Sequence, residues 1–294
     1  RVAQWIERSS PKRKVAGSTP AASIFFSMQK ITSRDNQKLK FARKVREGRE
    51  RDLMFIEGLR LAEEVLRSEI EIKEVFFTAQ FAETPRGKSF LENAPTSNFA
   101  EVPENLFNSV SDTKNSQGIV IICSQPVANR QNIEISLQLS KQKFPLLVLL
   151  HEINNPSNLG AILRTAEAAG VVGVILTQKS ADVFSTKALR SAMGASLRLP
   201  IWTNADFFEV LDWAKEKNLT TICADVNSSK SYTEIDWRKP RLVIFGSEAH
   251  GLNRQERETI KESLLIPMEN AVESLNLAVS CGIILFEAKR QKNS

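Results

Sequence analysis

The chain has 294 residues, of which 42% are hydrophobic and 25% are charged, and its formal net charge is +6. Such a length can hold two domains of ordinary size, each with its own core. No apolar stretch approaches the roughly 18 residues that a membrane helix needs, so we expect no membrane-spanning segment. The positive charge favours a polyanionic partner, although many proteins carry a similar excess without binding nucleic acid.

The cysteines Cys123, Cys223 and Cys281 lie far apart in the sequence, each among apolar neighbours. They form no CxxC pair, so we expect them to be reduced core residues in a cytoplasmic protein. The two histidines, His151 and His250, belong to no Cys/His cluster. We therefore expect no metal site.

Residues 1–27 place basic side chains among serine, proline and glycine, and their hydrophobic residues follow neither a helical nor a strand period. This pattern predicts a disordered segment. The GSTP sequence at 17–20 matches what the T-arm of a transfer-RNA gene would encode if it were translated. We therefore expect Met28 to be the natural start and residues 1–27 to be absent from the natural protein.

Residues 28–124 have the pattern of one small α/β domain. A helix is predicted at 36–46, with Leu39 and Val45 turned inward and basic side chains turned outward. This outward face suits contacts with nucleic-acid phosphates, and the alternative is a merely solvated helix face. The candidate phosphate-binding residues are Lys38, Lys40, Arg43 and Lys44. The other predicted elements are strands at 54–57, 73–78, 98–102 and 117–123 and a helix at 58–67.

Residues 125–144 carry many polar side chains with scattered isoleucine and leucine, which indicates a linker or a short connecting element. From residue 145 to residue 294, predicted strands and helices alternate. This alternation indicates a parallel sheet with helices on both faces. The strands are predicted at 146–150, 171–177, 220–224, 241–245 and 264–266. The helices are predicted at 159–169, 186–193, 205–217, 253–261 and 274–290.

The loop after the first strand of this second domain carries several unusual residues. Asn158 is a good N-cap for the following helix. Gly160 weakens that helix by roughly 1 kcal/mol relative to alanine, and Arg164 gains nothing from the helix dipole. Gly160 would allow a ligand or a second backbone to come close, and Arg164 would place a positive charge at the edge where open α/β sheets bind ligands. The alternative is a tolerated glycine and a solvated arginine.

Two later loops leave the same edge of the predicted sheet. One places Glu248 between Gly246 and Gly251, which suits a backbone-lined pocket that recognises a hydroxyl or amine group. The other ends with Ser274, the predicted N-cap of the last helix, and Asn276. Taken singly, these residues have ordinary structural explanations. The sequence contains no GxGxxG fingerprint, Walker A lysine or GxSxG elbow, so it lacks the usual marks of a dinucleotide, phosphate or serine-hydrolase site.

The three loops together resemble the motifs of the SpoU (TrmH) branch of the SPOUT RNA methyltransferases. The matching stretches are NLGAILRTA at 158–166, GSEAHGL at 246–252, and IPM at 266–268 followed by SLNLAV at 274–279. The first domain resembles the ribosomal-protein-like substrate-binding domain that many members carry. The resemblance implies a SPOUT-type parallel sheet with a deep trefoil knot, preceded by a small α/β domain that binds RNA.

The resemblance also implies S-adenosylmethionine-dependent methylation of a ribose 2′-hydroxyl in RNA by a homodimer, with no membrane partner. The additional first domain favours ribosomal over transfer RNA. The implied cofactor-binding residues are Gly246, Gly251, Ile266, Met268 and Leu275. The implied active-site residues are Asn158, Arg164, Glu248, Ser274 and Asn276. Arg190 or Arg198 is expected to contact RNA.

Two points concern the mechanism that the resemblance implies. A guanidinium group has a pKa above about 12 and rarely releases a proton, so we expect Arg164 to hold the ribose or phosphate and to lower the pKa of the hydroxyl. The family commonly has Asp-Pro where this chain has Asn155 and Pro156. An inactive RNA-binding protein of the same fold is therefore the alternative. An oxidoreductase would need the missing glycine fingerprint.

Overall fold

In the computed structural model, the structure is described for residues 29–270 and 272–293. The expectations for residues 1–27 and for Met28 lie outside this range. Within it, no helix is long and apolar enough to cross a membrane, and no group of three or more His, Cys, Asp or Glu side chains could hold a metal ion.

The first domain is built around a mixed five-stranded sheet of order β1–β4–β3–β5–β2, in which β5 is antiparallel to both neighbours. Helix α1 begins where the Asn36 side chain accepts the Lys38 N–H, and it buries Leu39 and Val45 as predicted. The elements of this domain are β1 (Gln29–Lys30), α1 (Gln37–Arg46), β2 (Leu53–Glu57), α2 (Leu59–Arg67), β3 (Ile72–Phe77), α3 (Ala79–Glu83), α4 (Pro85–Asn93), β4 (Phe99–Glu101), α5 (Glu104–Phe107) and β5 (Ile119–Ser124).

The second sheet has six strands in the order β11–β9–β10–β6–β7–β8, and every pairing is parallel, which confirms the predicted sheet type. Helix α6 lies in the segment predicted as a linker and packs Ile133 into the core beneath this sheet. The elements are α6 (Arg130–Leu139), β6 (Leu146–Leu150), α7 (Pro156–Ala169), β7 (Gly173–Thr177), α8 (Thr186–Ala192), α9 (Ala195–Arg198), β8 (Ile201–Ala205), α10 (Phe207–Glu216), β9 (Thr220–Ala224), β10 (Arg241–Phe245), α11 (Arg254–Glu258), β11 (Glu262–Leu264) and α12 (Leu277–Asn293).

Strand β6 shows why this sheet is covered on both faces. Leu146, Val148 and Leu150 join one hydrophobic cluster, to which α7, α8 and α12 also contribute. Leu147 and Leu149 join the opposite cluster, with α6 and α10. A strand that is apolar at every position therefore serves two cores, as parallel sheets require.

Several predicted boundaries of the second domain are wrong. Helix α7 begins at Pro156 because Asn155 caps it by accepting the Ser157 N–H, and proline suits the first helical position. Asn158 is therefore not its N-cap. Helix α12 begins at Leu277, and Ser274 is not its cap, because the Asn276 side chain accepts the N–H groups of the first helical turn.

Strand positions also differ from the predictions at the two edges of the second sheet. Strand β11 lies two residues before the predicted 264–266 strand. Strand β8 was not predicted, since it is a short edge strand with polar residues at Thr203 and Asn204 and an irregular register against β7. The short helices α3 to α5 lie between the strands of the first domain, where the sequence predicts helical or irregular pieces with turn residues.

The two domains share one continuous hydrophobic cluster, and polar contacts close the joint between them. Arg190 on α8 forms an ion pair with Asp112 at 2.6 Å, and Thr186 donates a hydrogen bond to the same carboxylate at 3.0 Å. Burial opposes ionisation of Asp112, but these bonds hold its pKa below the usual range. The resulting stabilisation is present above about pH 4 and is lost as the pH falls through the lowered pKa.

The three cysteines are free and buried, in agreement with the prediction. Burial raises the pKa of the Cys123 thiol to about 12 and that of the Cys223 thiol to about 11. It raises the pKa of the Cys281 thiol as well. These thiols are therefore protonated at neutral pH and unsuited to nucleophilic chemistry.

Gly160 provides a test of how closely α7 packs against α8. A Cβ atom there would lie 2.4 Å from the Ala188 carbonyl oxygen and 2.8 Å from the Ala192 backbone nitrogen. We expect Gly160→Ala to lower the free energy of unfolding by about 1–3 kcal/mol through overpacking, as measured by urea denaturation. The matched control is Gly282→Ala on α12, where the nearest atom would lie 3.7 Å away. Equal unfolding midpoints for the two variants would contradict this packing argument.

Candidate active site

A cavity of about 630 Å³ opens at the carboxyl edge of the second sheet. The strands β9, β10 and β6 are neighbours there, so the loops that follow them meet. The cavity is lined by residues of the loops after β9, β10 and β11, by Asn158 at the start of α7, and by the first residues of α12. This is the edge at which open parallel sheets bind ligands.

A chain of hydrogen bonds joins the three predicted motifs. The Glu248 carboxylate accepts a bond from the Asn155 backbone N–H at 3.1 Å and another from the Asn158 side-chain amide. The Asn276 amide in turn donates to the Asn158 side-chain oxygen at 3.3 Å. Asn158 therefore connects the loop after β10 with the start of α12, so these polar residues act as one network.

The two glycines of the loop after β10 are required by the conformation of that loop. Ser247 and Gly251 exchange two backbone hydrogen bonds, of 3.1 and 2.9 Å, which close a tight turn. Gly251 has a φ of +65°, and a Cβ on Gly246 would lie 2.5 Å from the Gly251 carbonyl carbon. The turn thus folds back on its own backbone and leaves main-chain atoms lining the cavity.

Most of the predicted site residues line this cavity. Of the five predicted active-site residues, Arg164 does not line it; its side chain is exposed and has no hydrogen-bond or ion-pair partner in the described part of the chain. Gly160 faces α8 rather than a ligand, which confirms the close approach of a second backbone. The predicted residues that line the cavity are Asn158, Glu248, Ser274, Asn276, Gly246, Gly251, Ile266, Met268 and Leu275.

The predicted RNA-binding residues lie elsewhere, and several already have protein partners. Lys44 is exposed and makes no hydrogen bond or ion pair with another described residue, so it remains available for phosphate contact. The pairs are Lys38 with Glu74, Lys40 with Asp35, Arg43 with Ser109 and the Arg34 carbonyl, Arg190 with Asp112, and Arg198 with Glu64 and Glu167. Their contacts with RNA stay predictions.

An ion pair between Asp225 and Arg257 also lines the cavity, and sequence reasoning missed it. Asp225 directly follows β9 and is mostly buried, and its side chain also accepts the Asn227 N–H at 2.9 Å. The predicted position of β9 could have indicated Asp225, because the loops that follow neighbouring parallel strands lie at the same edge of the sheet.

Asn155 performs the capping role for which the family's usual aspartate is suited. Its side-chain oxygen accepts the Ser157 N–H at 2.9 Å, and asparagine caps helices about as well as aspartate. Its backbone N–H also lies next to the Glu248 carboxylate. The departure from the Asp-Pro pattern therefore leaves this loop intact.

The network makes a pH-dependent prediction. We expect Asn158→Asp to place a second carboxylate against Glu248 and to raise the pKa of the pair through like-charge repulsion. A raised folded-state pKa destabilises the variant only where the groups are ionised. Urea denaturation should therefore show a loss of about 1–2 kcal/mol at pH 7.5 that largely disappears near pH 4. Asn158→Ala is the control, with a similar loss at both pH values; a pH-independent loss for Asn158→Asp would contradict the contact.

Each of the two domains matches a known protein family. Residues 145–286 match the SpoU rRNA Methylase family, and residues 36–121 match the MRM3-like substrate binding domain. A crystal structure of an AdoMet-bound rRNA methyltransferase from Sinorhizobium meliloti is 27% identical, with a TM-score of 0.78 over 90% of this chain and 98% of that one.

Curated relatives agree with this assignment. The 23S rRNA (guanosine(2553)-2'-O)-methyltransferase RlmP of Bacillus subtilis is 29% identical over 89% of this chain and 100% of its own length. An uncharacterized tRNA/rRNA methyltransferase of Synechocystis is 39% identical over 49% of this chain, but the match spans only 53% of that protein. The chain belongs to the SpoU (TrmH) family of RNA methyltransferases, with its methylase domain preceded by an MRM3-like substrate-binding domain.

Proposed function

We propose that this chain methylates a ribose 2′-hydroxyl in ribosomal RNA and uses S-adenosylmethionine as the methyl donor. The observation that carries the proposal is the hydrogen-bond network through Asn158, Glu248 and Asn276, which gathers all three motif loops around one cavity. The RlmP relative from Bacillus subtilis is named for this reaction on 23S rRNA, and the Sinorhizobium structure contains AdoMet.

The cavity fits the proposed cofactor. Its volume of about 630 Å³ lies within the usual range for small-molecule sites. The loop that contains Gly246 and Gly251 lines one part of it, while Ile266, Met268 and Leu275 provide apolar surface. When bound, the cofactor supplies a methyl group on a positively charged sulfonium. The backbone and apolar part of the lining suits such a centre, because these groups do not over-stabilise the charge that the reaction removes.

The polar network has a positioning role in this proposal. Both Glu248 oxygens already accept hydrogen bonds from the first loop, so this carboxylate fixes the loop. Asn158 and Asn276 complete the connection to α12. Methyl transfer requires an aligned donor and acceptor, and errors of about 1 Å are costly. The network therefore contributes by holding the three loops in register.

The cation that acts on the substrate hydroxyl comes from a second copy of the chain. Arg257 is the one lysine or arginine among the described residues that line the cavity, and it is paired with Asp225. Arg164 follows Asn158 by six residues, so it lies about 9 Å further along α7 and roughly a third of a turn around it. Arg164 therefore points away from its own cavity and is free to reach a partner's cavity.

The surface next to Arg164 supports a homodimer. Val279 and Phe286 on α12 are 52% and 48% exposed, and their spacing of seven residues places them on one helix face. Helix α12 packs against α7 near Arg164, where a Cβ added to Gly282 would lie 3.7 Å from the Thr165 side chain. Burying this apolar face against its symmetry-related copy would bring two Arg164 side chains to the interface.

Arg164 acts on the nucleophile without serving as its base. A guanidinium releases a proton rarely, since its pKa lies above about 12. Its fixed donors can hold the ribose oxygen or the adjacent phosphate and lower the pKa of the hydroxyl. The proton leaves to a neighbouring phosphate or to water.

The path of the chain around β11 supports the deep trefoil knot expected for the family. Strand β11 pairs with β9 on one side. On the other side, the loop that follows β9 meets the end of the same segment, where Leu265 and Lys230 are joined by a 2.8 Å backbone hydrogen bond. The connection after β9 thus flanks residues 262–265 before the chain continues to α12.

The structure does not support the alternative of an inactive RNA-binding protein. It depended on Asn155 in place of the usual aspartate, and Asn155 retains both the cap of α7 and the contact with Glu248. Tritiated methyl transfer to 23S rRNA and to transfer RNA tests the proposal directly. Mass spectrometric mapping of ribose methylations lost in a deletion strain would identify the nucleotide. Absence of transfer to either RNA would refute the proposed activity.

Arg164→Ala should abolish methyl transfer and leave S-adenosylmethionine binding unchanged by calorimetry, because Arg164 lies outside its own cavity. Arg254→Ala is the control, since Arg254 is 92% exposed and pairs with Glu258. Loss of cofactor binding in Arg164→Ala would refute the substrate-side role.

Mixed dimers test the partner's contribution. Gly246→Ala forces a Cβ into the backbone of the turn and should block cofactor binding. Dimers that combine Arg164→Ala with Gly246→Ala then contain one complete site, so an equal mixture should recover about a quarter of the wild-type rate. No recovery would mean that Arg164 acts within its own subunit.

A further inference from the structure

A second cavity, of about 500 Å³, lies between the two domains and shares no lining residue with the active-site cavity. Its walls are α2 and the loop 113–117 on one side, and α8 with the turn that follows it on the other. We propose that this interdomain cleft binds an unstacked nucleobase of the RNA near the nucleotide that is methylated. The proposal rests on the proposed function for the class of its ligand.

The turn after α8 is strained and presents an apolar side chain to the cleft. Met193 has a φ of +51°, in the left-handed region that residues other than glycine and asparagine rarely adopt. Its side chain lines the cleft and is 38% exposed, although the neighbouring lining residues Leu61 and Leu189 are buried. Strain of this kind collects at functional sites, where the surrounding structure maintains it.

The same turn is fixed against the first domain. Gly194, with a φ of +88°, packs so closely that a Cβ would lie 2.8 Å from the Glu64 side chain. Arg198 bridges Glu64 on α2 and Glu167 on α7. The cleft is therefore a preformed feature with walls held in place, as a specific binding site requires.

The carboxylates of the cleft are already occupied. Glu63 and Glu64 are paired with arginines, whereas the bonds that Glu57 accepts come from neutral donors. The cleft does not repel a nucleic acid overall, because four arginines line it against three glutamates. The carboxylates and their donors are Glu57 with Ser111, Thr113 and the Asp112 N–H, Glu63 with Arg86, and Glu64 with Arg67 and Arg198.

Arg60 and Asn115 are two polar side chains of the cleft that remain available for a ligand. Both line the cleft, both are exposed, and neither has a hydrogen-bond or ion-pair partner within the described residues. A guanidinium plane stacks on a base, an amide pairs with a base edge, and a thioether contacts the base face. A phosphate site would instead present several unpaired cations. Arg60, Asn115 and Met193 together therefore fit a nucleobase.

The cleft is mechanically connected to the active site. Helix α8, which forms one wall, is bonded to α7 through the Ser191 hydroxyl, which donates to the Ser157 carbonyl at 2.7 Å. Ser157 directly precedes Asn158 of the active-site network. The position of the cleft wall is therefore coupled to that of the active-site network through this bond.

The test uses Arg60→Ala and Met193→Asn in the full chain. Asparagine adopts the left-handed conformation readily, so Met193→Asn removes the apolar contact while keeping the turn. Each variant should raise the KM for RNA about tenfold, with kcat and S-adenosylmethionine binding unchanged. The matched control is Arg238→Ala, since Arg238 is 63% exposed beside Asp236 and lies outside the cleft. Thermal unfolding identifies any variant that fails to fold.

Photocrosslinking with 4-thiouridine-substituted RNA provides a readout that does not need methyl transfer. Crosslinked peptides should contain residues 58–67 or 189–193. Wild-type KM values in both variants, or crosslinks that map only outside these peptides, would overturn the proposal. A wild-type chain that crosslinks in the cleft but methylates no RNA would refute the proposed activity and leave the cleft assignment standing.

Discussion

The close approach of α7 and α8 at Gly160 is the constraint on which the other features depend. A Cβ there would lie 2.4 Å from the Ala188 carbonyl oxygen, so the crossing needs a residue without a side chain. The cost of glycine in a helix, roughly 1 kcal/mol, is offset by that packing. Because α7 begins at the candidate active site and α8 carries Arg190 to the first domain, one contact sets both the loop before α7 and the domain joint.

Glu248 shows how the site holds a negative charge without a cation. Its oxygens accept a backbone N–H and a side-chain amide at the first turn of α7, where the helix dipole also favours an anion. Aspartate at position 155 would bring a second carboxylate close to Glu248. Asparagine provides the same cap without that repulsion, so the change at this position is consistent with the electrostatics of the network.

The sequence predicted the centre of the fold better than its edges. Strands β6, β9 and β10 lie at the predicted residues. Strand β6 is the clearest of them, because a strand buried on both faces is a continuous apolar run. Strand β8 was missed because an edge strand can be short and polar. The start of α7 was misplaced because Asn155 and Asn158 are both good caps, and Pro156 decides between them. The pair Asp225 and Arg257 was missed because it joins residues far apart in the chain.

The position of Arg164 connects the single chain to the proposed dimer. One chain supplies a cavity, a positioned carboxylate and two amides, but the cation among its described lining residues is already neutralised by Asp225. Arg164 lies outside that cavity on α7, and the helix that packs against α7, α12, exposes the apolar face of Val279 and Phe286. If that face is buried in a dimer, the interface that removes apolar surface from water also delivers the missing cation. Assembly and catalysis then depend on the same surface, so a chain that remained monomeric would bind cofactor without transferring its methyl group.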